Sequence, residues 1–209
     1  MGADVAARGR SADASTRLIV ASPLARFLVK VFAWLPLAFA VWYFAAPALL
    51  WPVKLLLELV ARFGFADIVA AVEQNAATMT FVTLLKPGDV TGRTTQLVVD
   101  VDGLLYSFGL PLFAALVIAA RTPRWSRVLA LGYAVMVPFV TFGIFADFLK
   151  DVTLAAGPLV ASQTGFVAWQ REVIAFSYQV GALILPTIVP AVAWLLTHRT
   201  FLERMRREG

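Results

Sequence analysis

The chain has 209 residues, 60% of them hydrophobic and 15% charged, with a mean hydropathy of +0.80 and a formal net charge of +5. A soluble domain carries roughly 25% charged residues, so this balance argues against an ordinary soluble enzyme. With no cysteine and one histidine, His198, the chain cannot build a disulfide-stapled ectodomain, a thiolate metal site or a multi-histidine metal site.

Residues 1–23 are rich in Ala, Arg, Ser and Asp and read as a flexible cytoplasmic segment. The first charge-free run covers residues 31–53, long enough for a membrane span of about 20 residues. It reads as an uncleaved signal anchor, because it exceeds the roughly 7–15 apolar residues of a signal-peptide core. Pro47 and Pro52 then predict a break, since proline removes a helix hydrogen bond and crowds the preceding turn. In residues 52–63 the charges Lys54, Glu58 and Arg62 share one face and Leu55, Leu56, Leu59 and Val60 the other. Two readings stay open there: an interfacial amphipathic helix, or the end of a longer, tilted first span.

Residues 64–102 form the main extramembrane loop. Residues 78–85 and 96–101 are β-branched and aromatic, with Pro87, Gly88, Asp89 and Gly92 between them as turn residues. They predict a two-stranded antiparallel hairpin. Such a hairpin is marginal alone in water, so it must lean on the bilayer, the other loop or a partner. Three further charge-poor runs follow as spans, at 104–120, 128–148 and 174–197, with Pro138, Pro186 and Pro190 inside the last two. A second outer loop occupies 150–172. The sequence thus predicts an all-α membrane protein of about four spans with a small extracytoplasmic β-hairpin. The four-span domain covers 24–203, and a basic cytoplasmic tail covers 204–209.

Orientation follows from the basic residues. Twelve Lys and Arg lie on the side of the termini and six on the side of the two loops, while the acids divide four against nine. Positive residues are retained in the cytoplasm. Both termini are therefore expected there, and the charge needs no nucleic-acid partner.

No catalytic motif, cofactor site or metal site is legible. Glu172 and Asp147 fall at span ends, and Asp147, Lys150 and Asp151 cluster on one helix turn. These read first as a solvated boundary; second, the cluster reads as a cation or substrate site at the membrane surface, and Glu172, Asp147 or Arg171 as the groups an intramembrane enzyme would use. Asp100 and Asp102 share one strand face just ahead of the second span and, with Tyr106 and Phe108, are the candidate partner contacts. Tyr178 and Gln179 are the candidate intramembrane polar residues. A buried amide needs a hydrogen-bond partner, expected near Ser107 or Thr141.

The runs FAWLPLAFAVWYFAAPALLWPV (32–53), DGLLYSFGLPLFAALVIA (102–119) and SYQVGALILPTIVPAVAWLL (177–196) together resemble the exosortase H-associated membrane protein family, over about residues 25–203. The resemblance implies a role beside an exosortase, a multispan enzyme that processes proteins carrying a C-terminal sorting signal. Exosortases use a membrane cysteine with arginine and histidine partners. This chain lacks cysteine, so the resemblance implies the companion, a non-catalytic accessory subunit with a membrane-embedded exosortase-like partner. The alternatives are a small transporter subunit and, behind it, an intramembrane enzyme.

Overall fold

The computed structural model describes residues 23–87, 96–121 and 124–198. The expected flexible segment before them, the turn residues Gly88, Asp89 and Gly92, Pro123 and the basic tail lie outside the described residues.

Helix α1 runs Pro23–Gly64 without a break, with Pro36, Pro47 and Pro52 inside it. The expected interruption does not occur: residues 52–63 continue the first helix. At 1.5 Å per residue its 42 residues extend about 63 Å, twice the roughly 30 Å of hydrocarbon. Proline frees carbonyls in the turn before it, and such helices persist where neighbours satisfy them. Two side chains tie the stretch between Pro47 and Pro52 to neighbouring elements. Gln74 Nε2 donates to the Pro47 carbonyl at 2.8 Å, and the Tyr133 hydroxyl donates to the Leu49 carbonyl at 2.6 Å.

Three antiparallel strands follow in the order β1 (Val69–Asn75), β2 (Thr78–Thr83) and β3 (Val98–Asp102). The β2–β3 pair is the hairpin read from the sequence, with Phe81 opposite Val99 and Thr78 opposite Asp102. Strand β1 was not read from the sequence. It joins β2 through Ala76 and Ala77, with Ala76 at φ 52°, a turn conformation usually given to glycine. Strand alternation turns Val72, Met79, Phe81, Val99 and Val101 inward. They meet a stripe on α1 made by Ala46, Leu50, Val53, Leu57 and Ala61.

The chain then enters two short helices, α2 (Leu104–Ser107) and α3 (Gly109–Ala119). Helix α4 (Trp125–Lys150) ends in a π-helical turn, Asp151–Ala155. Helix α5 (Pro158–Gln163) lies in the second loop. Helix α6 (Ala168–Gln179), a π-helical turn (Val180–Ile184) and α7 (Leu185–Thr197) form one continuous rod. The widened turn sits just ahead of Pro186 and makes room for a ring that would crowd the carbonyl four residues back. Among the described residues three helices are long and apolar enough to cross a membrane: Leu24–Gly64, Trp125–Ala155 and Ala168–Thr197. The expected second span is shorter, an apolar stretch of Leu104–Ala119.

Two cores hold the fold. At the sheet end, Phe81 stacks on Phe148 with centroids 4.2 Å apart, and Phe65 meets Phe145 edge-on at 4.8 Å. At the far end Phe27, Val31, Phe113, Val117, Met136 and Trp194 form a smaller cluster. Between them α4 crosses the last rod at Gly143 and Gly181. A Cβ at Gly143 would lie 2.5 Å from the Tyr106 ring and 3.1 Å from the Gly181 carbonyl, so only glycine lets these elements meet.

Candidate functional site

The sheet end carries the polar residues that the sequence singled out, in two groups. The first is the outward face of the sheet. Register places Glu73, Thr80 and Asp100 in one cross-strand row, and Asn75, Thr78 and Asp102 in the next. Glu73, Asp100 and Asp102 are exposed. The Thr80 hydroxyl donates to Asp100 Oδ1 at 2.6 Å, which fixes that carboxylate in place. Asp102 Oδ1 accepts the Leu104 N–H at 2.9 Å, capping the entry to α2. The face is thus an acidic plate on which Asp100 and Asp102 are held by short local bonds.

The plate does not stand alone. Gln163 clasps the end of β2: the Lys86 N–H donates to Gln163 Oε1 at 2.9 Å, and Gln163 Nε2 donates to the Lys86 carbonyl at 2.8 Å. Phe166 of the same loop packs near Phe65 at 6.5 Å, and Arg171 Nε donates to the Phe166 carbonyl at 3.1 Å. The hairpin therefore leans on the second loop and on α1 and α4.

The second group surrounds Lys150. Its ammonium pairs with Asp147 at 2.6 Å and Asp151 at 3.0 Å, and lies 4.2 Å from the Tyr178 ring centroid. Tyr106 sits beside Asp147, but its buried hydroxyl makes no hydrogen bond. An ammonium held between two carboxylates over an aromatic ring neutralises most of its charge in place. The arrangement suits a fixed joint between α4 and α6.

The sequence candidates divide accordingly. Asp100 and Asp102 lie on the exposed plate, and Phe108 is half-buried at the α2–α3 junction. Tyr106 is turned inward at 2% exposure, because Gly143 opens the space its ring fills, so it offers no contact surface. Tyr178 joins the Lys150 group, while Gln179 is exposed. Ser107 and Thr141, the partners expected for Gln179, donate instead to the carbonyls of Gly103 and Val137 in their own helices. Glu172 is exposed. Sequence reasoning missed Glu73, whose strand was not read, and Gln163, whose role depends on a contact 77 residues away. Among the described residues no three metal-ligating side chains gather.

The family model for exosortase H-associated membrane proteins matches residues 21–201. No curated protein and no solved structure matches the chain. The chain belongs to the exosortase H-associated membrane protein family.

Proposed function

We propose that this family member is a non-catalytic accessory subunit that docks an exosortase-type enzyme on the extracytoplasmic side of the inner membrane, through the acidic face of its sheet. The observation that carries the reading is a sheet with one face sealed into the helices and the other presenting Glu73, Asp100 and Asp102. A fixed, charged, solvent-facing plate favours recognition of a basic surface, because complementary charge steers encounter and sets register.

Charge distribution supports the orientation. Over the full sequence twelve Lys and Arg lie on the side of the termini and six on the side of the two loops, and among the described residues the carboxylates gather at the sheet end and its loops. The excess of basic residues supports a sheet outside and both termini in the cytoplasm. The apolar stretch Leu104–Ala119 is about 24 Å long, short of the roughly 30 Å hydrocarbon. As the fourth crossing it draws β3 down to the membrane boundary, where a multispan partner presents its own surface loops.

The test is recovery of the exosortase with the tagged chain in mild detergent. Asp100→Lys with Asp102→Lys should lower recovery at least about tenfold, since like charges across an interface cost several kcal/mol. Asp102→Asn keeps the acceptor for the Leu104 N–H and separates charge from capping. Unchanged recovery with the double reversal would overturn docking at this face.

A further inference from the structure

The far end of the bundle holds a cleft that the docking reading does not use. It lies between α1, α3 and α4, has a volume of about 370 Å³ and is lined almost wholly by apolar side chains, among them Leu37, Val41, Ala114 and Leu129. A second opening of about 400 Å³ continues from it, sharing Trp34, Ile118 and Trp125 and ending on Arg121. The volumes fall in the range of small-molecule sites, roughly 300–1,000 Å³. We propose that this cleft binds one acyl chain of an anionic phospholipid, with the lipid phosphate on Arg121.

Three observations select that occupant. The cleft is a long, narrow slot. Its lining runs from Leu110 to Ile118 on α3 and from Trp125 to Tyr133 on α4, about 12 Å each, and from Trp34 to Leu49 on α1, about 22 Å, a shape that suits one acyl chain. It is also too small for a protein helix, whose diameter with side chains is about 10–12 Å. The mouth is built for a headgroup. Trp34 and Trp125 flank Arg121 there, and tryptophan settles at headgroup level. Finally, the charge is one-sided. Arg121, Arg124 and Arg127 are exposed at this end, and the ion pairs found among the described residues, Lys54–Glu58 and Lys150 with Asp147 and Asp151, are not formed by these arginines. Basic pockets between spanning helices hold anionic headgroups. A zwitterionic lipid would place its own cation against the same arginines.

The bound chain would fill a gap that the short α3 leaves beside the much longer α1 and α4. Its tail would replace the missing helix-to-helix contact, and its phosphate would tie the α3–α4 turn to the membrane surface. That role is independent of the partner at the sheet end.

The experiment uses the full chain purified in mild detergent. It is exchanged with an equimolar mixture of phosphatidylglycerol and phosphatidylcholine of identical acyl chains, and retained lipid is counted by native mass spectrometry. The expected result is one retained phosphatidylglycerol, preferred about fivefold or more for each arginine engaged. Arg121→Gln should lower that preference while leaving an acyl chain bound. Ala114→Phe, which fills the cleft, should abolish retention of both lipids. Should Ala114→Phe fail to purify as a single species, Ile118→Trp tests the same space from the shared wall. Equal retention of the two lipids by the native chain, an unchanged preference in Arg121→Gln, or full retention in the filled variant would each overturn the proposal.

Discussion

The two ends of this molecule bury apolar side chains on different terms. At the sheet end Phe81, Phe148 and Leu57 are 0% exposed, packed behind strands whose outer face carries acids. In the spanning region Phe32 and Phe44 stand outward at 68% and 81% exposure. In water an apolar patch of that extent would be a liability. In lipid it costs nothing, because hydrocarbon tails are as apolar as the side chains. The sheet end is therefore organised like a small soluble core grafted onto helices that outrun the bilayer. The spanning part is held by small-residue crossings and a thin aromatic cluster.

That contrast can be broken most directly by truncating one side chain at each end. Phe81→Ala removes a ring stacked on Phe148 and should cost about 3–5 kcal/mol. Phe32→Ala should change stability by less than about 0.5 kcal/mol, as for an uncommitted surface site. Thermal unfolding in one detergent compares the two. Equal losses would show that the ends do not differ.

The helix crossings give the next largest effect. Gly143→Ala forces a Cβ into the Tyr106 ring and should destabilise by about 1–3 kcal/mol through overpacking. Gly64→Ala, where nothing lies within 4 Å, should be neutral within about 1 kcal/mol. A tolerated Gly143→Ala would mean that the close approach of α4 to α2 and the last rod is not needed.

Much of this architecture was legible in the sequence, and the failures have physical causes. Charge-free runs revealed the long helices, because no other environment tolerates them. The residues of β2 and β3 declared themselves by β-branching and alternation. Strand β1 did not. Its sequence, VAAVEQN, is poor in β-formers, and its register shifts between Val69 and Ala71, so only pairing with β2 makes it a strand. The run through Pro47 and Pro52 was hidden for a related reason. The groups that donate to carbonyls of this stretch, Gln74 and Tyr133, lie 27 and 84 residues from their acceptors. Two of the plate's three carboxylates were legible, Asp100 and Asp102. Glu73 depended on the unread strand, and the inward turn of Tyr106 depended on a glycine across the bundle.

The smallest effect expected is at the clasp between loops. Gln163→Ala removes two hydrogen bonds to the Lys86 backbone, exposed bonds worth about 1 kcal/mol each at most. Global stability should fall little, while amide exchange at residues 84–86 should rise. Unchanged exchange there would show that the sheet is held by its inner face alone.

The central claim is that the acidic sheet faces outside the cytoplasmic membrane and the basic end faces inside. Because the chain contains no cysteine, single cysteines can be introduced into an otherwise unreactive background. Asp100→Cys and Arg124→Cys, both at exposed positions, are treated with a membrane-impermeant maleimide on intact spheroplasts. The account predicts labelling at position 100 and at position 124 only after lysis. Labelling of position 124 in intact spheroplasts, with position 100 protected until lysis, would contradict it.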